Sequence, residues 1–251
     1  MTDRSLQFHL VEPHHRISDF VYCFSSFNNV SAIPEGIIIP NGKIDLVLSL
    51  AEDGDFRIVL LGLETQPRMA PKEPLAKFFS VSFHPLALEY ILNISVADLL
   101  NNGRVMPDHF WGFTIDDLNN FKAFCDKVTA KVISLLPETI DQRKQNLFNQ
   151  IIAADGDVKV NELAANIGWS PRQINQYFNR QLGVSLKSYC NILRFQASLQ
   201  HIWEGNLYPQ LNYTDQSHFI KEVKKLSGVS PKELNKNENS RFLQFLVYDK
   251  K

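Results

Sequence analysis

The stretch Gly168-Trp169-Ser170-Pro171-Arg172-Gln173-Ile174-Asn175-Gln176-Tyr177-Phe178-Asn179-Arg180-Gln181-Leu182-Gly183-Val184-Ser185 decides the fold of the C-terminal part. Before it, Val160 to Ile167 has the apolar spacing of a short amphipathic helix, which Gly168 breaks. Ser170 is a good N-cap for a new helix, and Pro171 takes the first helical position, where its missing N–H costs nothing. That helix runs to about Leu182 and buries Ile174, Tyr177, Phe178 and Leu182. Helix, glycine turn, helix is the helix-turn-helix plan. The outer face carries Arg172, Asn175, Gln176 and Asn179. Arg, Asn and Gln are the side chains that bond two atoms of a base edge at once, whereas a merely solvated face more often carries Glu and Lys.

Working outward, the pattern occurs twice. Gly183-Val184-Ser185-Leu186-Lys187 returns as Gly228-Val229-Ser230-Pro231-Lys232, an offset of 45, which also carries Ile174 to Phe219 and Phe178 to Val223. The turns align at 44, Gly168-Trp169-Ser170 on Asn212-Tyr213-Thr214, which places one extra residue at the start of the second unit's second helix. The first helix of that unit is expected to be short, about Leu207 to Leu211, and contains Pro209. Between the copies, Ser185 to Trp203 has helical apolar spacing and reads as a connecting helix. Arg194 on it suits a structural salt bridge or a phosphate.

Upstream, the pattern changes. Ile17 to Phe27 is aromatic-rich, and Gly36 to Pro40 is β-branched and stops at the turn Pro40-Asn41-Gly42. Lys43 to Leu50 alternates polar and apolar; Phe56 to Leu63 and Phe78 to Phe83 are further strands. The expected architecture is α+β, with an N-terminal antiparallel β sandwich or barrel-like domain and helices, then an all-α domain of two helix-turn-helix units. The expected boundaries are 1–155 (β-rich to about 95, helical from about 96) and 156–251, with Asp155-Gly156-Asp157 as linker. Leu118, Phe121, Cys125, Val128, Val132 and Leu135 form one stripe on a helix from about Thr114 to Leu136. Such a stripe must be covered, either by a second copy of the chain or by the strands of its own domain.

Charge is uneven. From Asp157 onward there are 13 Lys+Arg against 8 Asp+Glu, and before it 13 against 19, so only the tail suits a polyanion. Cys23, Cys125 and Cys190 are far apart and odd in number, which argues for a reducing compartment and against a disulfide frame or zinc site. The first ten residues lack the apolar run of a secretory signal, and no stretch is apolar enough to span a membrane, so the cytoplasm is the expected location. His14, His15, His84 and His109 show no His-x-His pair, so no metal, cofactor or catalytic residue is assigned. A rival reading as a DNA-repair enzyme needs a reactive cysteine cluster, and Cys23 alone is not one. Eighteen phenylalanines suit an apolar effector cavity or an ordinary core.

Residues 158–235 resemble the DNA-binding domain of the AraC/XylS family of bacterial regulators. The match rests on Leu163-Ala164, Gly168, Ser170, Arg172, Phe178, Gly183, Tyr189, Arg194 and Ala197, then Tyr213, Asp215-Gln216-Ser217-His218-Phe219, Lys224-Lys225 and Gly228-Val229-Ser230-Pro231. The resemblance implies a seven-helix domain whose two recognition helices enter successive major grooves of double-stranded DNA. It places Arg172, Asn175 and Gln176 at base-facing positions of the first, and Gln216, Ser217 and Lys221 at those of the second, and Asn179 and His218 are counted with them as DNA-binding candidates. The N-terminal part is similar, through Ile39-Pro40-Asn41-Gly42, Gly62-Leu63 and Phe83-His84-Pro85, to a β-rich domain of Bacteroidetes-type regulators. That implies binding of a small-molecule effector, homodimerisation, or both, in a transcription activator that works with RNA polymerase. The alternative is an interaction or sensor protein whose second helix-turn-helix no longer reads DNA.

Overall fold

A computed structural model describes residues 7–28, 36–70, 75–238, 241–242 and 245 of the chain. Part of the amino-terminal segment read above lies outside them. The strands are β1 (Gln7–Val11), β2 (Val21–Asn28), β3 (Ile37–Ile38), β4 (Ile44–Ala51), β5 (Phe56–Leu61), β6 (Arg68–Met69), β7 (Leu75–Phe83) and β8 (Gly103–Val105). The α-helices are α1 (Phe121–Ser134), α2 (Gln142–Ala153), α3 (Val160–Ile167), α4 (Pro171–Leu182), α5 (Leu186–Trp203), α6 (Gln216–Ser227) and α7 (Pro231–Lys236). The class is α+β, as expected. The chain forms two compact units. The described residues of the first are 7–28, 43–62 and 75–139; those of the second are 36–42, 63–70 and everything from 140 on.

The first unit is built on one six-stranded antiparallel sheet in the order β1-β2-β7-β4-β5-β8. Period-two alternation on β4 buries Ile44, Leu46 and Leu48. Phe24, Val81, Leu46 and Leu60 are register partners across four strands, so they share that face. The cover is α1 rather than a second sheet. Phe124 sets its ring 6.3 Å from Phe24 and 5.6 Å from Phe79. Leu118, Cys125, Val128 and Val132 are buried with it. Of the two covers expected for the stripe, its own domain supplies one, so the stripe is part of the core of the first unit and not a self-association surface. The expected helix also breaks in two. Thr114 and Asp117 cap a 3-10 turn over Ile115–Asn119, and Asn120, extended at φ −143°, caps α1 through Ala123 N–H.

The sheet's other face is polar at its centre. The Ser25 and Ser80 hydroxyls meet at 2.6 Å, and Ser82 donates to Asp45. Lys43 is buried with its ammonium 4.5 Å from the centre of the Tyr22 ring, whose edge packs on His84. Burial lowers Lys43 to about 8, and burial with the Lys43 charge lowers His84 to about 3.

The second unit begins before the linker expected at Asp155-Gly156-Asp157. Phe148 on α2 packs against Phe178, Tyr177 and Tyr189. Gly156 is buried, and a Cβ there would lie 2.2 Å from the Cys190 carbonyl oxygen. Arg194 donates to Gly156 O at 3.2 Å and lies 3.9 Å from Asp157. A single cut at 155/156 thus falls inside this packing, because a turn rich in Asp and Gly reads as a linker whether it is exposed or pressed against a helix.

Two upstream segments also belong to this unit. β3 pairs with β6, and Ile37 N–H donates to Arg241 O at 2.6 Å. The Tyr189 hydroxyl donates to Gly42 O, and the Gln196 amide donates to Pro40 O. The sequence Ile39-Pro40-Asn41-Gly42, read as the end of a strand in the β domain, is therefore seated on α5.

Candidate nucleic-acid interface

The first helix-turn-helix follows the sequence closely. Gly168 caps α3 in the left-handed region at φ +69°, which removes the Cβ penalty there. Ser170 and Gln173 form a capping box at the start of α4, with Pro171 behind the cap. Ile174, Tyr177, Phe178 and Leu182 are buried, and Arg172, Gln176 and Asn179 are exposed.

Asn175 is different. It is half-buried, its Nδ2 donates to Pro171 O at 3.1 Å, and its Oδ1 accepts the N–H of Leu186 at 3.2 Å. Its amide ties α4 to the first turn of α5. The Asn179 amide donates to Asn175 O at 2.9 Å but stays on the exposed face.

The second unit keeps its recognition helix and lacks its first helix. None of Leu207–Leu211 is helical. Gly205 turns the chain after α5 at φ +89°, and Pro209 has no N–H for a helical bond. The extra residue inferred from the turns falls before α6, not within it. Asp215, rather than Thr214, is the N-cap and accepts from His218 N–H at 2.7 Å. Ser170 therefore maps to Asp215 at the same offset of 45 as Gly183 to Gly228 and Ser185 to Ser230, and α4 and α6 are both 12 residues long. Phe219, Val223 and Leu226 are buried; Gln216, Ser217, Ile220, Lys221, Lys224 and Lys225 are exposed. His218 accepts Thr214 N–H on Nδ1 at 3.3 Å and packs its ring on Tyr213, so it shapes the turn. Ile220 and Lys224 lie on this exposed side but were not among the DNA-binding candidates. A strict offset of 45 from Asn175 and Asn179 would have found both.

The cysteine thiols are buried, which pushes Cys23 up to about 11 and Cys125 and Cys190 to about 12. Such thiols stay protonated near neutral pH and are poor nucleophiles.

Residues 163–237 match the model of a helix-turn-helix domain, and residues 9–105 match a domain of unknown function, DUF6597. The C-terminal helices thus include a helix-turn-helix domain, and the strands before them fall in a region that matches a separate domain model. Among individual proteins, the chain is 23% identical over 169 residues to the uncharacterized HTH-type transcriptional regulator YtdP of Bacillus subtilis (strain 168). That match takes in 62% of this chain and 21% of the relative, so the chain spans about a fifth of its length. Of solved structures, ToxT from Vibrio cholerae O395 aligns with 92% of this chain and 97% of its own at 12% identity and a TM-score of 0.41. ToxT from strain SCE256 with an unsaturated fatty acid bound aligns with 91% and 93%, also at 12% and 0.41. No described helix is long and apolar enough to cross a membrane.

Proposed function

We propose that the chain is a sequence-specific DNA-binding transcription regulator that reads two successive major-groove segments with α4 and α6. The observation that carries this is the constant offset of 45 between the two capped helices, each with a polar face turned outward. Arg172, Gln176 and Asn179 read the first segment; Gln216, Ser217 and Lys221 read the second. Asn175 and His218 act indirectly, by holding their helices. The basic excess after Asp157 supplies phosphate contacts. The DNA-binding domain starts at α2, and the sheet domain before it serves effector binding or dimerisation. Any dimer forms through a surface other than the buried side of α1. The regulator works in the cytoplasm as an activator that engages RNA polymerase and carries no catalytic site.

The absent first helix of the second unit favours one rival, an interaction or sensor protein that reads DNA with α4 alone. DNA selected from a random pool by the full chain, then footprinted, separates the two. Protection of two boxes about 10 base pairs apart supports double reading; one box supports the rival. On that DNA, Arg172→Ala is expected to cost about 1–3 kcal/mol at one base pair and to relax its preference. An unchanged affinity would remove α4 as the reader.

A further inference from the structure

The outward stripe of α6 runs Ser217, Ile220, Lys221, Lys224. Three of these are polar, and the fourth is an isoleucine left 38% exposed. A single exposed apolar residue is ordinary on a protein surface. Its place in the repeat makes this one informative. Ile220 corresponds to Asn175 at the offset of 45, and Leu186 corresponds to Pro231. In the first unit the Asn175 side chain is needed because the N–H of Leu186, at the start of α5, requires an acceptor. In the second unit Pro231 holds that position at the start of α7 and has no N–H. The structural duty that fixes Asn175 disappears with that donor, so position 220 is released to face outward.

A β-branched residue in an exposed helical position loses rotamer freedom. What it offers at a reading position is a branched apolar tip. In the major groove the apolar feature of a base edge is the C5-methyl group of thymine. We infer that Ile220 packs against a thymine methyl in the second box and sets preference for thymine there. Lys224, one turn further along the same stripe than the base-reading Lys221, supplies a contact to the flanking backbone phosphates. This deepens the proposed reading of DNA by α6 and rests on it.

The experiment uses the full chain and the double-stranded DNA that it selects from a random pool. Each thymine of the second box is replaced singly by deoxyuridine, which removes the methyl and keeps every hydrogen-bonding group. Wild-type protein is expected to lose about fourfold in affinity at one thymine, the worth of one buried methyl group. Ile220→Ala should bind the unmodified box about that much more weakly and show no further loss with deoxyuridine. Ile220→Val, which keeps a branched tip, should retain the loss. Protection of the second box with no sensitivity to deoxyuridine would overturn the role of Ile220 and leave reading by α6 standing. The same sensitivity in Ile220→Ala would assign the methyl contact to another residue and equally overturn it. Absence of second-box protection in wild type would overturn both this inference and the double reading.

Discussion

The hydroxyl of Tyr189, on α5, donates to the backbone carbonyl of Gly42 at 3.3 Å, across 147 positions of sequence. Gly42 sits at φ +73°, and a Cβ there would lie 2.8 Å from Leu193 Cδ2. Gly42→Ala therefore meets strain and overlap together and is expected to lower stability by about 1–3 kcal/mol. Tyr189→Phe leaves the carbonyl without this donor and should cost about 1 kcal/mol. Urea unfolding of the full chain checks both. An unshifted midpoint for Gly42→Ala would mean that this seat on α5 adds nothing to stability.

Asn175 and Gln176 are neighbours in sequence with different work. Asn175→Ala removes the acceptor for Leu186 N–H and should destabilise the protein by about 1–2 kcal/mol. Gln176→Ala, on the exposed face, should leave stability within about 0.5 kcal/mol while weakening DNA binding. The pair of measurements is thermal unfolding beside a band shift on selected DNA. The reverse pattern would exchange the roles assigned to the two side chains.

Val128, on α1, is fully buried in the core of the first unit. Val128→Glu places a carboxylate in that core and should cost about 4 kcal/mol or more. Unfolded or insoluble protein is the expected result, seen by circular dichroism. A folded, soluble monomer from a wild-type dimer would instead restore α1 as an interface.

His84 carries a pH dependence with a defined sign. Its folded pKa is held near 3 by burial and by Lys43, against 6.5 in the unfolded chain. The stability it contributes is complete above about 6.5 and is lost as pH falls toward 3, because the unfolded state takes up the proton first. Between pH 6.5 and 5, before most carboxylates titrate, His84→Gln should show a flatter fall in stability than wild type. Parallel curves over that window would place His84 in a more solvated site.

Local patterns were legible where local physics decides them. Ser170, Pro171 and Gly168 cap and turn whatever lies around them, and Ile44, Leu46 and Leu48 alternate because a strand has period two. The repeat was legible too, but the turns at 44 and the helices at 45 left the start of α6 one residue out. The Asp215 side chain on His218 N–H settled it, and a cap of that kind is visible only as a bond.

The sequence by itself determined that this chain has an antiparallel β-rich part and a helical part with two capped, outward-polar helices. Caps, glycine turns and apolar periodicity act within a few residues and leave their mark in composition. Only the tertiary structure decided which surfaces are used up. It sank the α1 stripe into the sheet, seated Gly42 on Tyr189, and pressed Gly156 against Cys190. It also committed Asn175 to Leu186 while leaving Ile220 outside. The physical reason is that a side chain's partner is set by what the fold brings within hydrogen-bonding or contact distance. For Tyr189 that partner lies 147 positions away, where no sequence pattern reaches.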